Sequence, residues 1–577
     1  MDEAHIGEKS PNHDGMAEQL EHASSEEHNE KHSHKDVIDM AELEGPNVHH
    51  KMNFRLFASL VAMSFLWVGS QIPLYLYGSV LPLIYSEIGG GEGRYLWMVI
   101  GYLVPNAALC PFVGALSDLF GRKRIAIAGQ CLLILGPIVV STSHTINVAI
   151  GGMVIAGLGA GLNELIALAG TAELVPVKKR GAYVGLVVFS ILPFCPSSLW
   201  AQLIAAHSNW RYVGILVGVW NFIGLVLVGT LYQDPAQRTP KRLRSEILRE
   251  IDYIGAFLST AGVTLFMMGM QWGANQYVWG SVHVLVPLII GIVLIIAFFI
   301  WEIRFAPFPM APKALFSKDR RTMILILIIT FFSGGNFFAM LLFWPTQVYN
   351  MYGADPVDVG IRTLPVGFGI IGGAVVGLVL IGVTKGRTTI LTIFWCILMT
   401  GFTGAVSVAR VDNLNSTVYP IVVFACIGVG AVIIPCSIIA QMCCPTELIG
   451  TITAITLSVR YIGGAVGFTA YYNVFYHKFL GYAQVAGLHV IVEGVAGDLA
   501  TVTELVTLAG QAEYGPLKEF IATDPGVLRK DIAFDVVIKY TQLAFAEAYK
   551  WPYWISIAFG GICILCSFGL KDVRKFM

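Results

Sequence analysis

Fourteen runs of mostly apolar residues, most about twenty residues or longer, dominate this chain. A stretch of that length crosses the roughly 30 Å hydrocarbon core of a bilayer as a helix. The runs fall at about 56–78, 95–116, 124–142, 146–173, 182–206, 211–231, 252–272, 282–303, 322–348, 360–383, 388–409, 418–443, 449–475 and 551–570. Only a helix or a closed barrel satisfies its own backbone in hydrocarbon, so the runs predict an all-α polytopic membrane protein. Composition agrees: 55% of the 577 residues are hydrophobic and 13% are charged. A water-soluble globule of this size cannot hide so much apolar surface. A soluble enzyme, a nucleic-acid binder and a disordered scaffold are therefore excluded.

The net charge of −1 conceals two unequal parts. Residues 1–51 hold 13 Asp and Glu against 4 Lys and Arg, a charge of −9, and the remainder carries +8. This acidic, His-rich tail lacks apolar periodicity and is expected to be disordered and cytoplasmic. No apolar core of a signal peptide follows Met1, so cleavage is not expected. The tail histidines His28, His32, His34, His49 and His50 have no fixed scaffold, and no metal site is expected. Most of the 10 cysteines lie in apolar runs, which argues against a disulfide framework.

An even number of spans puts both termini on one side, and basic residues choose it. One set of loops carries Arg122, Lys123, Arg124, Lys178, Lys179, Arg180, Arg238, Lys241, Arg242, Arg244, Arg249, Lys313, Lys318, Arg320, Arg321, Lys385 and Arg387. The opposite short loops hold Arg94, Arg211 and Arg410. Both termini are expected in the cytoplasm. The first longer basic connector follows six spans. The expected domains are therefore a tail at 1–51, a six-helix bundle at 52–231, a connector with two extra helices at 232–321, and a second bundle at 322–577. Loop 476–550 is expected outside, as short amphipathic helices over the outer mouth or as an inert insertion. The sequon at Asn415 also falls outside, in a loop too short to make its glycosylation certain.

The most ordered motif is Gly114-Ala115-Leu116-Ser117-Asp118-Leu119-Phe120-Gly121-Arg122-Lys123-Arg124, after the second span. Gly114 permits close packing at a helix end, and Gly121 a turn that other residues resist. Asp118 can sit at a helix N-terminus. Arg122, Lys123 and Arg124 hold the loop at an anionic leaflet. This stretch resembles the signature loop of the major facilitator superfamily. The resemblance implies a conformational latch in which Asp118 faces the start of the thirteenth span, near Ile449 to Thr453. Glu173 and Arg180 would join the same latch. The stretches Ile72-Pro73-Leu74-Tyr75 through Leu81-Pro82-Leu83-Ile84-Tyr85, Glu173-Leu174-Val175-Pro176 with Lys179-Arg180-Gly181, and Asn209-Trp210-Arg211-Tyr212 are similar to the fungal trichothecene efflux pump family. Fungal siderophore transporters are similar too and share the long last outer loop. The implied fold is a 14-span major facilitator fold, two six-helix bundles plus two extra linker helices.

One departure stands out. The fifth span reads Ser190-Ile191-Leu192-Pro193-Phe194-Cys195-Pro196-Ser197-Ser198, without the glycines that many drug–proton antiporters carry there. Its prolines can still break or kink the helix. The basic residue that many antiporters carry in the fourth span is absent as well.

Ionisable groups inside a membrane are costly and are functional candidates by default. Glu164, in the fourth span, is the candidate for proton coupling, with a structural carboxylate as the plainer alternative. Arg460 lies within the thirteenth span, on a face with Gly464, Gly467 and Tyr471, where an ion pair or carbonyl clamp competes with substrate contact. Gln71, Tyr75, Asn163, Asn336 and Gln441 complete the cavity candidates, though each is also suited to a helix–helix hydrogen bond. Gly369, Gly373 and Gly377 form a small-residue stripe for close packing. No phosphate-binding loop and no nucleophile–base set is found, so no catalytic residue, enzyme activity or cofactor is expected, and energy should come from an ion gradient. The leading expectation is proton-coupled efflux of a small, partly apolar metabolite or toxin across a fungal plasma membrane, with a vacuolar or vesicle membrane as the alternative. Ferric-siderophore uptake by proton symport and a non-transporting sensor are the competing readings. The expected partners are the bilayer, a small-molecule substrate and protons, with no nucleic acid. The chain is expected to act as a monomer.

Overall fold

The computed structural model describes residues 54–90, 93–175, 180–232, 251–273, 277–353, 355–384, 386–445, 448–510 and 514–573. The acidic tail, its histidines and most of the basic connector lie outside the described residues. By contact the chain divides into residues 1–57 and 58–577. Of the first unit only residues 54–57 are described, as one turn of helix.

Residues 58–577 hold the membrane body. Among the described residues, fourteen helices are long and apolar enough to cross a bilayer: Leu56–Ser79, Arg94–Gly114, Arg122–Ser141, Ile146–Thr171, Tyr183–His207, Trp210–Leu231, Tyr253–Trp272, Val282–Phe305, Arg320–Tyr352, Pro356–Val383, Thr388–Val408, Leu414–Met442, Ile449–Val492 and Lys530–Phe568. They are called the first to fourteenth spans below. The count and the positions of the apolar cores match the sequence pattern, because each window of hydropathy is a local property.

The last two spans depart from that pattern. The thirteenth helix runs for 44 residues and the fourteenth for 39. At 1.5 Å per residue these are about 66 and 58 Å long, roughly twice the hydrocarbon core. Hydropathy falls beyond residue 475, but the helix does not stop there. The projecting ends of both helices join two short helices, Leu499–Gly510 and Tyr514–Thr523. Together they form a cap with its own apolar core, which includes Val490, Leu505, Leu517 and Val537. The segment 476–550 is thus a folded extension of two spans. Asp498 starts the first short helix by accepting from the Thr501 N–H at 2.9 Å. Those backbone N–H groups stabilise the ionised form and hold the Asp498 carboxyl below its usual range.

The fifth span is broken. It consists of a helix at Arg180–Phe189, a 3-10 turn at Leu192–Phe194 and a second helix at Ser197–His207. Pro193 and Pro196 have no N–H to donate, and their rings crowd the preceding turn. The Trp200 indole donates to the freed Pro193 carbonyl at 3.0 Å.

Small residues set the closest helix contacts. A Cβ on Gly373 would strike the Ile427 carbonyl, and one on Gly430 would strike the Ile370 carbonyl. Gly369 and Gly377 continue this seam between the tenth and twelfth spans. The seventh and eighth spans pack on each other at Gly262, Gly269 and Gly291. The Asn473 amide donates to the Met270 carbonyl at 2.7 Å, which ties that pair to the thirteenth span at its cap end.

Candidate functional site

The two six-helix halves meet across a cavity in the middle of the membrane body. Spans one, five, nine, ten, twelve and thirteen supply its walls, which are mostly apolar. The break in the fifth span places Phe194, Cys195, Ser197 and Ser198 on one wall. The ninth span contains a π-helical turn at Ala339–Phe343, just before Pro345, and contributes Leu341 and Pro345. Such turns re-aim side chains and recur at functional sites.

Four polar residues of the cavity wall, Gln71, Tyr75, Arg460 and Tyr461, cluster at one pole. Tyr75 donates to the Gln71 Oε1 at 3.1 Å, and Gln71 Nε2 donates to the Tyr461 hydroxyl at 3.4 Å. Tyr461 in turn donates to Glu164 Oε2 at 2.5 Å. The other carboxylate oxygen of Glu164 accepts from Arg460 Nη2 at 2.7 Å in an ion pair. Glu164 is fully buried, whereas the Arg460 side chain is 13% exposed and lines the cavity. Glu164 is therefore not an isolated carboxylate. It sits behind the cavity wall, at the end of a donor chain that starts in the first span. The chain joins the first, fourth and thirteenth spans, and so spans both halves.

The other candidates separate. Gln71, Tyr75 and Arg460 line the cavity. Asn163 turns toward the third span, where its amide fits the Ala126 carbonyl and the Gln130 N–H, each at 3.1 Å. Asn336 accepts from the Tyr471 hydroxyl at 2.8 Å, inside the second half. Gln441 donates to Thr453 at 2.9 Å, between the twelfth and thirteenth spans. The side chains of Asp118, Glu173 and Arg180 lie outside the described residues. Gly121 has φ of +87°, a conformation that glycine adopts without strain. No described atom lies within 4 Å of where a Cβ on Gly114 would be. Arg122 and Lys123 are half-buried, and Arg124 and Asn415 are exposed.

Toward the cap the halves touch closely. Tyr95 donates to Tyr472 at 3.0 Å, and their rings meet edge to face. A Cβ on Gly367 would overlap the Cys195 carbonyl, and one on Gly360 would overlap Leu199. Ser458 donates to the Ala107 carbonyl at 2.6 Å nearer the centre. On the same side, Arg211 pairs with Glu87 at 3.0 Å and donates to the Ser143 carbonyl at 2.5 Å, so the Asn209–Tyr212 stretch is bound to the segments that follow the first and third spans. Tyr461 and the Tyr95–Tyr472 pair were not legible as site residues. An aromatic inside an apolar run carries no local sign of its partner.

Residues 26–577 match the family model described as fungal trichothecene efflux pump. The trichothecene efflux pump TRI12 of Fusarium sporotrichioides is 26% identical over 91% of this chain and 87% of its own length. The MFS-type transporter pydD of an Acremonium species is 29% identical, but the match covers 57% of each chain, little more than half of that relative. Among solved structures, a bacterial homologue of the human lysosomal transporter Spinster, inward-facing and unoccupied, superposes with a TM-score of 0.55. It covers 90% of this chain and 98% of its own at 12% identity, so the likeness is one of fold.

Proposed function

Because the chain belongs to the fungal trichothecene efflux pump family of the major facilitator superfamily, we propose that it exports a small, partly apolar secondary metabolite or toxin in exchange for protons. The membrane is the fungal plasma membrane in this reading, with the termini cytoplasmic and the cap outside. The observation that carries the proposal is the donor chain from the cavity wall to Glu164 and its ion pair with Arg460. The apolar cavity suits a lipophilic cargo. The charge pair between the halves supplies a reason for a proton to matter.

In the proposed cycle Glu164 holds Arg460 while ionised, and the pair helps keep the halves together. A proton arriving at Glu164 removes its charge. The ion pair becomes a weaker hydrogen bond, and the halves are free to rock about the cavity. Loss of the proton on the other side restores the pair. Cargo and proton thereby use alternate states of one interface.

Purified protein in vesicles with an imposed pH gradient tests this, with a radiolabelled trichothecene as cargo. Glu164→Gln should exchange cargo across the membrane yet fail to concentrate it. Undiminished gradient-driven accumulation by that variant removes Glu164 from the mechanism. Tags inserted at Gly181 and near Gly515 test the topology, and labelling of both from outside intact cells would defeat it.

A further inference from the structure

The polar pole of the cavity holds a fully buried donor that has no partner among the described residues. Tyr75 donates to Gln71, Gln71 donates to Tyr461, Tyr461 donates to Glu164, and Arg460 Nη2 also donates to Glu164. The Nε–H of Arg460 is buried and has no hydrogen-bond partner among the described residues. A buried N–H without a partner carries a desolvation cost that an incoming acceptor would relieve. Arg460 is also a wall residue of a cavity whose lining is mostly apolar. Its charge, however, is already balanced by a contact of 2.7 Å with Glu164.

We infer that Arg460 is the residue that selects cargo, with its Nε–H donating to an oxygen acceptor on an uncharged, otherwise apolar molecule. This rests on the transporter reading above and adds which atom recognises the cargo and what charge it tolerates. Net charge at the pole is near zero, so a carboxylate would bring an uncompensated charge into a medium of low dielectric. A ketone, ether or hydroxyl oxygen takes the hydrogen bond without that penalty. Glu164 thus sets the charge selectivity of the cavity through Arg460, without touching the cargo.

The test is equilibrium binding by calorimetry to the full-length protein in lipid nanodiscs, using three probes of one skeleton: decalin, 2-decalone and decalin-2-carboxylate. The ketone should bind about tenfold or more tightly than either companion, as expected for a hydrogen bond to a charged group. In Glu164→Gln the guanidinium loses its counter-charge, and the carboxylate should overtake the ketone. Arg460→Lys keeps a cation beside Glu164 but lacks the Nε–H, so the ketone should fall to the level of the hydrocarbon. A ketone that does not bind, or binds no better than decalin, overturns the inference. So does a carboxylate that gains nothing in Glu164→Gln. Binding needs no gradient, which separates the two readings. Lost selectivity with intact pH-driven export defeats only the role of Arg460, and intact selectivity with lost coupling defeats only the proton reading.

Discussion

A double-mutant cycle on Glu164 and Arg460 measures how strongly the charge pair holds the two halves in the arrangement seen here. Glu164 is fully buried and Arg460 nearly so, at 2.7 Å. Removing one partner leaves an uncompensated buried charge, which costs about 3–5 kcal/mol, whereas removing both leaves no charge to solvate. The cost applies where the pair forms. In an arrangement that parts the halves, each charge meets water instead. Glu164→Gln or Arg460→Met alone should therefore move the equilibrium away from the cap-closed arrangement by roughly 100-fold or more, since about 1.4 kcal/mol is a factor of ten. The double variant should move it by less than about tenfold, giving a coupling energy of at least about 4 kcal/mol. Spin labels at Ser86→Cys and Val357→Cys, both exposed near the cap end of opposite halves, report the separation by pulsed electron resonance once the exposed Cys131 is replaced. A double variant whose shift equals the sum of the two single shifts would show that the pair does not couple the halves. Unchanged distances in every variant would show the same.

Three further outcomes follow from particular contacts. Gly367→Val places a side chain against the Cys195 carbonyl, where even a Cβ has no room; membrane insertion should be normal, transport should fall more than tenfold at matched surface expression, and the labelled distance should lengthen. Gly121→Val forces a branched residue to φ of +87°, at a cost of about 1–2 kcal/mol, which a lowered thermal midpoint of the purified protein would record. Leu505→Asp puts a carboxylate in the cap's own core; limited proteolysis within residues 493–529 should accelerate at least about tenfold while the spans stay protected, and equal cleavage rates would show that the cap does not depend on that core.

What the sequence determined is whatever depends on neighbours along the chain. Fourteen spans are legible because the preference of a twenty-residue segment for hydrocarbon is a sum over its own side chains. The turn at Gly121 and the break at Pro193 and Pro196 are legible because a positive φ and a missing N–H are properties of single residues. The family signature around Asp118 belongs to the same class, although the side chain of Asp118 lies outside the described residues. Tertiary structure decided the rest. Glu164 and Arg460 are 296 positions apart, and nothing near either one names the other. Asn163, next to Glu164 in the chain, faces the third span, because successive residues on a helix point about 100° apart and only packing tells which direction is the cavity. The thirteenth and fourteenth helices run on past the apolar windows because the cap core, assembled from four separate segments, holds them as helices in water. A charge inside a membrane announces that it needs a partner, but the fold alone supplies the partner, since its burial and its pairing are set by helices that meet only once the whole body is assembled.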